Sequence, residues 1–423
     1  MEFFNSFLCG MLMPFLLVTL GILFAIKLKF FYVLHPIRTL KTIKNGQKEG
    51  FKSLSVALAG TLGVGNIIGV SSAILFGGAG SIFWMWVSAL CAMSIKYAEV
   101  YLAMIFRQRN KDTFHGGAPY YIKNGLKKRV GASKAYSLSV IFAIFCILNS
   151  LTTGNLVQIN SASSLFPSYP LVFGALFALF SLLAIRGGIK RISTVSSVLI
   201  PVLTICYVAL CSIVIFSQIR GVPNVFKKII TDAFSFKSAV SGFLGHGISA
   251  TVRYGVCRGV LSNEAGCGTS PAAHASSECT DPHSQACLGI FEVFVDTILL
   301  CTLTAIVILL NKPTGALGAM DLVISSFKSV LGQLGGQIIA LISVLFAFAT
   351  VICQYFYGTE ALNYISKNKK IKQVFLFLFL LVIIIGSVIP MSLMWQISDF
   401  SIAAMTILNL FCLFLLRNHF YSK

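Results

Sequence analysis

Charge is what this chain has least of. Only 11% of its 423 residues are Asp, Glu, Lys or Arg, against 57% hydrophobic, and acidic side chains number just 13. So little charge cannot clothe a soluble domain of this size, and a water-soluble globule is excluded. Tryptophan occurs three times and histidine six. The twelve cysteines form no CxxC pair and fall mostly inside apolar runs, as at Cys91, Cys146, Cys206, Cys211, Cys301, Cys353 and Cys412. They read as small apolar side chains, not as a zinc site or a disulfide framework. Cys267, His274, Cys279 and His283 come nearest to a metal set, yet their spacing fits no zinc pattern. Neither a transition metal nor an organic cofactor is expected.

Long apolar runs take the place of the missing charge. Eleven of them lie near 8–27, 53–76, 81–106, 136–158, 170–186, 194–217, 236–256, 286–310, 335–357, 373–390 and 397–416, as in a polytopic membrane protein. The first is too long for a removable signal peptide and lacks a small-residue cleavage site. The net charge of +20 is not spread evenly. Lys and Arg crowd 27–52 and 107–134, with smaller sets at 186–191 and 367–372, so every second loop is basic. By the positive-inside rule those loops are cytoplasmic, the N-terminus is outside and the C-terminus inside. Basicity here encodes topology and contact with anionic lipid, not a nucleic-acid partner. No obligate protein partner is evident.

The second run is the odd one. Ala59-Gly60-Thr61-Leu62-Gly63-Val64-Gly65-Asn66-Ile67-Ile68-Gly69 puts four glycines and an Asn into a bilayer-length segment. Two readings stay open. Small residues let helices pack closely, or the helix is unwound where protein or a water-filled cavity meets its backbone. The seventh run repeats the pattern, since Ser241-Gly242-Phe243-Leu244-Gly245-His246-Gly247-Ile248-Ser249 holds three glycines and a His. Two interrupted spans, five apart and equivalently placed, indicate an inverted-repeat transporter with its site at the midplane. The expected architecture is an all-α polytopic protein of about eleven transmembrane helices. An N-terminal helix and loop (1–50) precedes repeats of five spans each, 51–218 and 234–417, with one discontinuous helix in each repeat.

Several further residues carry chemistry. Lys96 and Glu99 form an opposite-charge pair at i, i+3, structural or gating in role. The small-residue cytoplasmic segment Arg253 to Ala275, with Arg258, Asn263 and Glu264, reads as a close-packed inner gate. Gln158 either joins helices or lines a polar cavity. Thr350 and Gln354 share a helical face; the Thr350 hydroxyl suits a hard cation or bonds back to its own helix. A zwitterionic amino acid would find its carboxylate site at the freed amides of Val64 and Gly65, within Gly60, Thr61, Gly63 and their neighbours. Its ammonium would find unwound carbonyls around Gly242 to Gly245, with Gln158, Thr350 and Gln354 flanking the side chain. Proton coupling through His246 is an alternative. Glu292 and Asp296, at i, i+4 in the eighth span, are functional candidates as intramembrane carboxylates. No nucleophile–base arrangement accompanies them, so an enzyme is not expected.

At Gly63-Val64-Gly65-Asn66-Ile67, Ile82-Phe83-Trp84-Met85-Trp86, Lys96-Tyr97-Ala98-Glu99 and Arg258-Gly259-Val260-Leu261-Ser262-Asn263-Glu264-Ala265-Gly266, the chain resembles the alanine/glycine:cation symporter family. The likeness runs from about 50 to 410, and the family's Gly-Asn-x-x-Gln-x-Asn-Ser pattern stands at Gly154 to Ser161. It implies a leucine-transporter-like fold in a bacterial inner membrane and sodium-coupled symport of alanine or glycine. Residues 59–66 also resemble the broken first core helix of sodium-coupled neurotransmitter-type transporters. That likeness implies sodium ligands at the carbonyls of Ala59 and Leu62 and the Thr350 hydroxyl, with Asn66 at a second ion site. Ala349 stands where those transporters usually carry another hydroxyl. Gln354 stands where the symporter family typically has Trp, which implies a larger pocket or one that bonds a polar side chain. The family's Gly-Gly-Pro-Gly turn is altered to Gly77-Gly78-Ala79-Gly80.

Overall fold

The computed structural model describes residues 7–110, 113–235, 246–311 and 318–420, with the backbone alone at 38, 40, 43–49, 110 and 246–249. The apolar opening run forms α1 (Leu8–Lys27). Helix α2 (Pro36–Thr61) starts on a proline, whose missing N–H costs nothing in a first turn. The chain bends by 48° between the Gly50–Thr61 part of α2 and α3 (Gly65–Gly77). There follow α4 (Ser81–Ile105) and a small antiparallel hairpin, β1 (Gln108–Asn110) with β2 (Thr113–His115), in which Arg109 faces Phe114. Next come α5 (Ala118–Val130), α6 (Ala132–Ser163), α7 (Pro170–Ile185), α8 (Gly188–Ser217) and the surface helix α9 (Val222–Ala233). The second half holds α10 (His246–Asn263), the single turn α11 (Pro271–Ala275) and α12 (Pro282–Asn311). It ends with α13 (Ala319–Ile365), kinked at Gly332 where φ is 67°, then α14 (Lys369–Gly386) and α15 (Met391–Leu416).

Among the described residues, seven helices are long and apolar enough to cross a membrane, eight with the bent pair as one span. Ten of the expected runs fall on helices, as does the described part, 246–256, of the seventh, but α7 is shorter, α14 more charged and α10 less apolar than such a crossing needs. The outward faces are apolar, as a lipid-bathed bundle requires. On α8, Val198, Val202 and Ile205 point out, while Ile192, Ser196, Ile200 and Leu203 pack inward.

Both readings of the glycine-rich second run turn out to apply. The helix does unwind: α2 ends at Leu62 (φ −75°, ψ 69°) and helical winding resumes as a π turn at Gly65–Gly69. Close packing holds too. A Cβ on Gly60 would lie 2.6 Å from the Tyr357 hydroxyl oxygen, and one on Gly63 would lie 2.5 Å from the Thr350 Oγ1.

Of the expected second break, residues 241–245 lie outside the described residues, and 246–249 are continuous helix. Within the described residues the chain leaves helical geometry after Asn263 and regains it at Pro271. Glu264, Gly266 and Gly268 there adopt φ of 50°, 85° and 74°. The physical reason is tertiary. Freed backbone groups at this depth need partners, and distant side chains supply them. Glu99 accepts from the Gly268 N–H at 2.9 Å, Asn409 donates to the Gly266 carbonyl at 2.9 Å, and Asn263 Oδ1 accepts from the Ala265 N–H at 2.9 Å. The two breaks face one another: a Cβ on Gly65 would lie 3.2 Å from Ser262 Cα.

Candidate functional site

Helix α13 passes beside the first break and presents Thr350 and Gln354, one turn apart. The Thr350 hydroxyl donates to the Ala59 carbonyl at 2.9 Å, so it bonds across helices and not to its own turn. Gln354 Nε2 donates to Glu264 Oε1 at 2.5 Å and lies 3.4 Å from the Gly60 carbonyl. From α6, Gln158 Oε1 accepts from the Val64 N–H at 3.0 Å. Gly154 lets α6 approach, since a Cβ there would sit 2.6 Å from Gln354. Ala59, Gly60, Gly63, Val64, Gln158, Thr350 and Gln354 are thus brought together. The Val64 amide is not free, being capped by Gln158. Thr61 turns away, its hydroxyl 3.3 Å from the Ala57 carbonyl of its own helix. Gly242 and Gly245 lie outside the described residues, and so does the side chain of His246.

Asn66 belongs to a second cluster on the other face of the break. Its Nδ2 donates to Asp296 Oδ1 at 2.8 Å and to the Asp296 carbonyl at 2.9 Å. Ser262 and Thr297 each donate to Asp296 Oδ2 at 2.7 Å, and Thr304 donates to the Asn66 carbonyl at 2.8 Å. Asp296 is fully buried and, among the described residues, lies in no ion pair. Glu292 joins a different network. It accepts from Lys96 at 3.3 Å and bonds His274 Nε2 at 3.0 Å. A π-helical stretch, Phe294–Cys301, shifts the register between these two carboxylates, so they do not work as one face.

The expected gate residues divide. Lys96 and Glu99 do not pair with each other. Inside an apolar bundle each has found a better partner than its i, i+3 neighbour: Lys96 takes Glu292 and Ser270, and Glu99 takes Asn409 (2.6 Å) and the Gly268 N–H. Both therefore hold the segment that follows Asn263. Arg258 is not in that segment but on α10, before the break. It is paired with Asp399 at 2.8 Å and lies over Trp395 at 4.0 Å. Glu264, read from sequence as gate, stands inside the site against Gln354. Sequence reasoning missed this, along with the Ser262, Thr297 and Thr304 set. The signal available was the Ser-Asn-Glu-Ala-Gly run itself, three polar residues followed by glycine at the end of an apolar helix.

Outside the spans, Arg107 donates to the carbonyls of Ser277 (2.6 Å) and Cys279 (2.8 Å). The hairpin beside it is tied to α13 by His115 Nδ1 and Glu360 Oε2, 2.9 Å apart. The hydrogen bond to Glu360 holds the His115 pKa above its usual 6.5, against burial and against Lys372 and Lys367. A raised folded pKa means the pair is complete below pH 6.5 and is lost as pH rises through the folded value. We expect the protection of the hairpin amides, their exchange rate relative to the intrinsic rate at each pH, to fall across that range in the wild-type protein. In His115→Gln it should stay flat, the pair being worth about 1 kcal/mol or less at this part-exposed position. A pH-independent wild-type profile would show that the ion pair does not hold the hairpin.

A bundle of apolar helices whose interruptions meet, with polar side chains converging on the unwound backbone, is the build of a secondary transporter. The family model for the sodium:alanine symporter family matches residues 1–423, and the chain belongs to that family. It is 34% identical over 436 residues to the sodium/alanine symporter AgcS of Methanococcus maripaludis, covering 99% of this chain and 94% of that one. It is likewise 34% identical over 430 residues to the probable sodium/glutamine symporter GlnT of Bacillus subtilis, covering 97% and 87%. Among solved structures it shares the fold of a Na+-coupled sialic acid symporter. That match has a TM-score of 0.53 at 13% identity and covers 94% of this chain and 81% of the other.

Proposed function

We propose that this chain carries a small neutral amino acid, alanine or glycine first, together with sodium across a bacterial inner membrane by alternating access. The observation that carries the reading is the convergence of Thr350, Gln158 and Gln354 on the unwound residues 59–64. Sodium is held by the Ala59 and Leu62 carbonyls and the Thr350 hydroxyl, oxygen donors of the kind a hard cation takes. Asn66 serves a second ion. The substrate carboxylate lies at the Val64 and Gly65 amides, at the N-terminal end of α3. Gln158 Oε1 already accepts from the Val64 N–H at 3.0 Å, as a carboxylate oxygen would. Ions at Ala59 and Thr350 hold the break in the shape that receives substrate, so each ligand favours the other.

Gln354 supports a second reading, transport of a polar amino acid, because its amide and Glu264 form a polar wall where the family usually has Trp. Counterflow in proteoliposomes with a panel of labelled amino acids, with and without sodium, tests both. Uptake should require the sodium gradient and survive loss of the pH gradient. The reverse would favour proton coupling, and no uptake in either case would remove the reading. Gln354→Trp should shift preference toward alanine and glycine by about tenfold, as filling a pocket by a few methylene equivalents does. An unchanged preference would show that position 354 does not set pocket size.

A further inference from the structure

Glu264 is placed as no gate residue needs to be. Among the described residues, Glu292 is paired with Lys96 and Asp399 with Arg258, but Glu264 lies in no ion pair. It is 3% exposed. Its carboxylate has two neutral partners, the Thr269 hydroxyl at 2.5 Å and Gln354 Nε2 at 2.5 Å. A buried carboxylate without a cation is costly and marks a functional position in a membrane protein.

The groups around it have acceptors to spare. Gln354 Nε2 stands between Glu264 Oε1 and the Gly60 carbonyl, which lies 3.4 Å away in the last turn of α2, the negative end of that helix. Gln354 Oε1 is buried without a partner, and the Tyr357 hydroxyl oxygen lies beside Gly60. A primary ammonium is a cation with three donors and no acceptor. Glu264 Oε1, the Gly60 carbonyl and either of those oxygens are three acceptors around the place of one nitrogen. Four residues along the same break, the Val64 amide meets Gln158 Oε1. The two glutamines thus copy the two ends of a zwitterion, an N–H facing a carboxylate and an oxygen facing an amide.

We propose that Glu264 binds the ammonium group of the transported amino acid, with Gln354 holding that place and then turning its amide oxygen to the cation. This rests on the transport reading above. It restricts the ligand to primary amines: a 2-hydroxy acid of the same skeleton offers a neutral, single-donor group and leaves Glu264 without a countercharge.

The test uses the full chain in proteoliposomes, with the amino acid taken up fastest in the panel and its 2-hydroxy analogue (L-lactate for L-alanine) as competitor. In the wild type the amino acid should bind far more tightly than the hydroxy acid. Glu264→Gln should weaken the amino acid by about 100-fold while changing the hydroxy acid less than threefold, because only the former loses a buried charge partner. Glu264→Asp keeps the charge and should retain the preference at lower affinity, which decides the matter if the Gln variant does not fold. Equal weakening of both compounds, or amino-acid affinity within threefold of wild type, overturns the assignment to Glu264. Absence of sodium-driven uptake of any amino acid by the wild type overturns the transport reading itself, a separate result.

Discussion

Gly65→Leu should abolish the proposed amino-acid-stimulated sodium uptake. A Cβ at this position would lie 3.2 Å from Ser262 Cα and 3.5 Å from the Leu261 carbonyl, both backbone atoms of α10. No side-chain rotation relieves such a contact, and leucine adds three more carbons beyond Cβ. Helix α10 must then move away from the first break, carrying Ser262 off Asp296 and Glu264 off Gln354. Displacement of a binding group by about 1 Å is enough to cost roughly 100-fold, and here two sets of contacts move together. Gly65→Ala adds the Cβ alone, whose one tight contact is with Ser262 Cα, and should leave partial activity, so the two variants form a graded pair. Sodium-driven uptake in proteoliposomes reads both, with monodispersity in detergent to exclude misfolding. Uptake by Gly65→Leu at the wild-type rate would place the site elsewhere.

Two interruptions meet where Gly65 faces Ser262, and the first of them is legible in the sequence. The first shows in the sequence because its signals are local: Gly60, Gly63 and Gly65 lie inside one bilayer-length apolar run. The one after Asn263 does not show, because its determinants are not local. Glu264, a residue with no left-handed preference, takes φ of 50°, and the backbone freed around it is satisfied by Glu99 and Asn409, distant in the chain. The same limit explains Lys96 and Glu99. Spacing rules describe a helix in water, whereas a helix packed on all sides offers each charge partners from other helices. Pairs brought together by the first break, Thr350 with Ala59 and Gln158 with Val64, were foreseeable as types but not as contacts. The apolar runs and the alternation of basic loops, being properties of whole segments, located the helices well and left the number of crossings open.

Asp296→Asn should raise the sodium concentration for half-maximal uptake by about 100-fold and turn a sigmoidal sodium dependence hyperbolic. The carboxylate collects donors from Asn66, Ser262 and Thr297 at 2.7 to 2.8 Å. Thr297 is in turn fixed by Asn263 Nδ2 at 3.0 Å, so its hydroxyl hydrogen is committed to Asp296. An amide in place of the carboxylate removes a negative charge and points an NH2 at groups that are themselves donors. One of them loses its acceptor, and a buried donor left unpaired costs about 1–3 kcal/mol, up to the order of a hundredfold in affinity. Asn66 Oδ1 is buried without a partner. Half a turn of that amide would bring an oxygen where its NH2 now meets Asp296, giving a cation two oxygen ligands from opposite sides of the break. If Asn66 serves a second ion, removing the charge opposite it must empty that site while leaving the Ala59–Thr350 site in place, and the cooperativity between two sodium ions disappears. A structural role alone predicts a different result: lower thermal stability in detergent with an unchanged sodium half-saturation and an unchanged Hill coefficient.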